Sequence, residues 1–139
     1  MKFMAAMQPT FMPWIGYFAM LDTVDEFIFL DDVQFTKRSW QMRNFLKGPE
    51  GPILLSLSVA GKPSRPLICD TRLSESGFEI KIMRTIETLF KTAQFADYAV
   101  NIVSSAFASC EGNLSVLNCN IIRKISKLVG INTPTHLSS

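Results

Sequence analysis

The chain has 139 residues, 47% of them apolar and 19% charged. That is the length of one domain, and so apolar a composition excludes a disordered chain. The 14 Lys and Arg against 12 Asp and Glu leave a net charge of +2, too small a basic excess for bulk nucleic-acid binding.

Lys2 to Met7 is a short apolar run closed by Gln8-Pro9, the pattern of a buried strand in a parallel sheet. Phe3 to Leu21 carries no charge and is long enough to cross a bilayer. Pro9 and Pro13 would break a spanning helix, so no membrane span is expected. The apolar stretch is also too short for a signal peptide. Pro9 to Pro13 reads as a tight connection, and Trp14 to Val24 as a helix. Glu26 to Leu30 is a second buried strand, which completes a unit of βαβ size.

Val33 to Lys47 is polar, aromatic and basic and reads as an irregular loop. A turn at 48–52 precedes an alternating strand from Ile53 to Val59. A further turn is expected from Gly61 to Arg65, then a short strand from Pro66 to Cys69. Ser76 and Glu79 have capping-box spacing before a helix with Phe78, Ile82, Met83, Ile86, Leu89 and Phe90 on one face. A weaker helix covers Tyr98 to Phe107. Asn113 is the expected N-cap of a helix from Leu114 to Val129, which Gly130 stops. Thr133 to Ser138 begins another strand.

Cys69, Cys110 and Cys119 are an odd set without C-x-x-C spacing, as expected for reduced thiols in the cytoplasm. The single histidine, His136, excludes a His-rich metal site, and any Ser-His-Asp triad would have to use it.

Three constellations can carry chemistry. Gln8-Pro9-Thr10 ends the first strand, and Asp31-Asp32-Val33-Gln34 ends the second. In an open α/β sheet, ligands bind outside the carboxyl ends of the strands, so both runs point at one crevice. Lys37, Arg38 and Arg43 add three positive groups around Trp40 and Asn44. That set suits a phosphate or carboxylate with a ring stacked on the indole. Each has a plainer reading. The aspartates can cap a turn, the cations can be a solvated loop, and Trp40 and Tyr17 can edge a core. A carboxylate pair can hold Mg²⁺, but this spacing does not call for it, and no metal is assigned.

The run MQPTFMPWIGYFAMLDTVDEFIFLDDVQFTKRSWQMRN resembles the N-terminal signature of the WbqC-like protein family. The match is specific from Met7 to Asn44, and weaker similarity reaches the end of the chain. The resemblance implies a bacterial protein of O-antigen or other surface-polysaccharide biosynthesis, with transfer of an acyl or aminoacyl group to an activated sugar. It carries Gln8, Tyr17, Gln34, Lys37, Arg38, Trp40, Arg43, Asn44 and Asn118; with Thr10 from the run after the first strand these are the expected ligand-binding residues, with a nucleotide-sugar or sugar-phosphate as the ligand. Asp31 or Asp32 is left as the catalytic base, since no histidine is available.

Thr10-Phe11-x-Pro13 and Trp14-Ile15-Gly16-Tyr17 are also similar to the T-x-F and H-x-G-H region of nucleotidylyltransferases. Aromatic residues replace both histidines, so the similarity implies fold and not adenylyl transfer. The expected architecture is α/β: a Rossmann-like, three-layer fold with a mostly parallel sheet, nucleotidylyltransferase-like at its N-terminus.

Two departures from the family pattern matter. Ile82 stands where members carry a histidine, and Phe90 where they carry a tyrosine. Members are also longer. The chain is therefore expected to be a single, shortened family domain that exposes apolar surface and self-associates. A non-catalytic ligand-binding or assembly component is the alternative to an enzyme. No cofactor is indicated.

Overall fold

A computed structural model describes residues 1–61 and 65–139, so most of the turn expected at Gly61 to Arg65 lies outside the described residues. The order is β1 (Met4–Met7), α1 (Ile15–Thr23), β2 (Glu26–Phe29), β3 (Arg43–Gly48), β4 (Gly51–Ser56), α2 (Phe78–Phe90), α3 (Ala96–Ser109), α4 (Leu114–Leu128) and β5 (Thr135–Leu137). The fold is mixed α/β. Strands β1, β2 and β5 form a parallel sheet in the order β1-β2-β5, and β3 and β4 form a separate antiparallel hairpin.

The N-terminal βαβ unit forms where its pattern predicts, but β1, expected as a buried strand, is an edge strand with no buried residue. Met4 pairs with Glu26 and Met7 with Phe29. Side chains alternate across a strand, so Phe27 and Phe29 share one face, and both are fully buried there. Tyr17 and Leu21 from α1 and Cys119 and Ile122 from α4 close over them. The rings of Tyr17 and Phe27 lie 5.6 Å apart, and those of Phe27 and Phe29 5.3 Å. The opposite face carries Met4, Ala6, Glu26, Ile28 and His136, and Met4 is 57% exposed. The sheet is thus covered on one side among the described residues, making two layers where three were expected.

Helix α4 joins this layer to the rest of the chain. Leu114, Leu117 and Ile121, at helical spacing, face a second core with Ile82 and Ile86 of α2, Val103 and Ala106 of α3, and Leu55 of β4. Ser115, Cys119, Ile122 and Ser126 form another buried flank of the same helix. Asn113 caps it, its side chain accepting the Val116 N–H at 3.0 Å. At the other end Gly130 has φ 84°, and the Gly130 and Ile131 N–H groups bond back to Lys127 and Ser126. That is a Schellman stop, which favours glycine.

Further expectations change, and the short strand expected at Pro66 to Cys69 is only an isolated bridge of Leu67 with Gln34. Arg43 to Gly48 is a strand rather than loop, because it pairs along its whole length with Gly51–Ser56. The Ser76–Glu79 capping box does not form. Gly77, at φ 70°, is the N-cap, no side chain caps the helix, and the Ser76 hydroxyl pairs with that of Ser74 at 2.9 Å.

Candidate functional site

Parallel pairing of β1 with β2 brings the Gln8-Pro9-Thr10 and Asp31-Asp32 runs to the same edge of the sheet, the edge where open α/β sheets bind ligands. The connection after β1 is held by side chains from three elements. The Tyr17 hydroxyl donates to the Gln8 carbonyl at 3.1 Å. Asn118 Nδ2 donates to the Pro9 carbonyl at 3.2 Å and to the Gln41 carbonyl at 2.8 Å. Asn44 Nδ2 donates to the Met12 carbonyl at 2.7 Å and to that of Phe11 at 3.2 Å. Met12 has φ 48°, a strained conformation for its side chain, and the Asn44 bond fixes it.

The loop is locked to Trp40 as well. The Phe11 N–H bonds to the Trp40 carbonyl at 2.8 Å, and Gln8 Oε1 accepts from Gln41 Nε2 at 2.8 Å. Gln41 Oε1 in turn accepts the Thr36 N–H at 2.9 Å. Gln41 is buried and was passed over in the sequence. The available signal was an amide within the run Trp40 to Asn44, next to residues already singled out.

These bonds frame a cavity of about 350 Å³ lined by Met7, Thr10, Pro13, Trp14, Tyr17, Trp40 and Asn44, a size common for small-molecule sites. Trp14 and Trp40 stand on it largely exposed, at 71% and 56%. Among the described residues no charged side chain lines it. Burial pushes the Tyr17 hydroxyl well above its ordinary range, so it stays a neutral donor. Gly16 lets the Trp14 ring lie close over α1. A Cβ on it would come within 2.0 Å of the Trp14 ring.

The other expected residues lie apart from this cavity. Asp31 is buried, at 1% exposure. Its carboxylate accepts from Ser115 Oγ at 2.7 Å, the Ser139 N–H at 3.1 Å and Ser139 Oγ at 3.2 Å. That carboxylate clamps the ends of β2, β5 and α4. Asp32 is exposed and accepts from Ser138 Oγ at 2.5 Å. Gln34 and Lys37 line a second cavity. Arg38 is exposed, with φ 60°, and Arg43 opens β3 half-buried. Among the described residues no three His, Cys, Asp or Glu side chains cluster as a metal set, and no helix is long and apolar enough to cross a membrane.

The sequence model of the WbqC-like protein family matches residues 8–139. The chain belongs to the WbqC-like protein family. An uncharacterized protein of Mycobacterium tuberculosis, Rv1507c, is 33% identical over 136 residues. The alignment covers 96% of this WbqC-like chain and 58% of that relative, so the chain spans little more than half the relative's length. No solved structure matches significantly. Where the resemblance leads one to expect a family histidine, this WbqC-like chain has Ile82, 3% exposed in the core.

Proposed function

We propose that this WbqC-like protein acts in the cytoplasm in bacterial surface-polysaccharide biosynthesis, as a transferase on an activated sugar. The observation that carries the reading is the aromatic cavity at the carboxyl edge of the parallel strands. Two exposed indoles with an uncharged lining suit a sugar or base ring, which stacks on their faces. Thr10 and Asn44 supply polar edges, and Gln8, Tyr17 and Asn118 hold the loop that shapes the cavity. Arg38 and Arg43 lie next to Trp40 and Asn44 in the chain and are the cations assigned to the anionic part of a nucleotide-sugar or sugar-phosphate. Asp32 is the base that takes the proton of the accepting sugar group, while Asp31 positions the strand ends. The Rossmann-like, nucleotidylyltransferase-like reading of the fold rests on the β1-α1-β2 unit and the loop after it.

The alternative is a non-catalytic ligand-binding component of the same pathway. It is favoured by Ile82 in the core at the histidine position and by the hydrogen bonding of Asp31. Incubating the chain with nucleotide-sugars and acyl or aminoacyl donors separates the two. Turnover that falls in Asp32→Asn supports the transferase, and saturable binding without turnover supports the alternative.

A further inference from the structure

Thr10, Tyr17, Trp40 and Asn44 line the aromatic cavity, whereas Gln34 and Lys37, expected in the same site, line a second cavity of different chemistry. It measures about 280 Å³ and includes Gln34, Lys37, Arg65, Asp70, Thr71 and Arg72 in its lining. Three of these are cations and one is a carboxylate. None of the four is in an ion pair among the described residues, where Lys2 and His136 with Glu26 make up the ion pairs. Among the described residues the aromatic cavity has no charged lining.

The walls of this second cavity are tied together by backbone. The Phe35 N–H bonds to the Pro66 carbonyl at 2.8 Å, and the Ile68 N–H to that of Val33 at 3.0 Å. Gln34 and Leu67 form an antiparallel bridge. On the other side the Ala60 N–H bonds to the Arg72 carbonyl at 2.8 Å, and Val59 bridges Leu73. The Arg72 guanidinium donates to the Glu111 carbonyl at 2.9 Å, which holds it in place and leaves its charge unneutralised. Cationic side chains that line one cavity attract an anion placed in it. Arginine forks match phosphate oxygens in two-point contact, and the Gln34 amide adds a neutral donor.

We propose that the cavity between Gln34–Lys37 and Arg65–Arg72 is a separate anion site for a phosphate or diphosphate group, held by Lys37, Arg65 and Arg72. It stands independently of the transferase reading, because its ligand chemistry comes from its own lining.

Titration of the whole chain with inorganic pyrophosphate, followed by calorimetry, tests the site. Saturable binding is expected, weakened by added salt and by about tenfold or more in Lys37→Gln and in Arg65→Gln, the equivalent of about 1.4 kcal/mol. Lys91→Gln, outside the cavity, should match the parent, and so should Trp40→Ala. Absence of saturable binding overturns the proposal. So does an equal loss in Lys91→Gln, which would mean unspecific charge attraction. Loss of pyrophosphate binding in Trp40→Ala would show a single site and overturn the separation. Failure of nucleotide-sugars to bind the aromatic cavity leaves these outcomes unchanged.

Discussion

Ser115 donates its hydroxyl to the Asp31 carboxylate at 2.7 Å across 84 residues of sequence, and both are buried. This bond fastens the first turn of α4 to the carboxyl end of β2. Ser139 closes the same carboxylate from the end of β5. Ser115→Ala removes a bond to a buried charged acceptor. It should cost about 1.5–3 kcal/mol of stability by urea denaturation. A loss under 0.5 kcal/mol, the size of ordinary surface effects, would contradict the clamp.

Alkaline pH should loosen the layer between α1, α4 and the sheet. Burial pushes the Cys119 thiol up to about 12 from its ordinary 9.0, and burial also raises the Tyr17 hydroxyl. Both raised values mean that the folded chain keeps protons the unfolded chain gives up. The stability they contribute is therefore full below about pH 9 and falls as pH rises towards 12, by at most about 1.4 kcal/mol per pH unit for each group. Thermal denaturation from pH 8 to 11 should show that decline, and Cys119→Ala should make it shallower.

The βαβ unit and α4 were legible because their signals are local. Short apolar runs bounded by Gln8-Pro9 and Asp31-Asp32 marked the strands, and Asn113 and Gly130 marked the helix ends. Strand β3 was not legible, since RNFLKG mixes charged and apolar residues and acquires its shape by pairing with β4. The same holds at the site. Thr10, Tyr17, Trp40 and Asn44 do meet at one cavity. The burial of Asp31 depends on Ser115, Ser138 and Ser139, all more than 80 positions away. Gln34 and Lys37 turn from the aromatic cavity because Gln34 bridges Leu67, a pairing with no signature in either segment.

Gly16→Ala separates cavity shape from stability. The added methyl collides with the Trp14 ring, which is exposed and free to swing aside. Stability should change by no more than about 1 kcal/mol, within the helix preference of Ala over Gly. Trp14 emission should shift and affinity for nucleotide-sugars should fall. Unchanged emission would mean that the ring does not rest on Gly16.

The uncovered sheet face carries Met4, Ala6 and Ile28, and Phe3 beside it is 60% exposed. Glu26, paired with Lys2 and His136, shares this face, and the exposed apolar side chains around it draw association. Light scattering coupled to size exclusion should show mass rising with concentration, and Met4→Lys with Ile28→Lys should return it to 15.6 kDa. A concentration-independent monomer of the parent chain would contradict the expected self-association.

The chain has two tryptophans, and both line the aromatic cavity. Intrinsic tryptophan emission therefore reports on that cavity alone. Titration with UDP-glucose, UDP-N-acetylglucosamine and dTDP-glucose should give a saturable change for at least one of them. Its affinity should fall about tenfold or more in Trp40→Ala, the loss expected when a stacking ring is removed. No saturable change with any of the three, or equal affinity in Trp40→Ala, would contradict the assignment of this cavity as the ligand site.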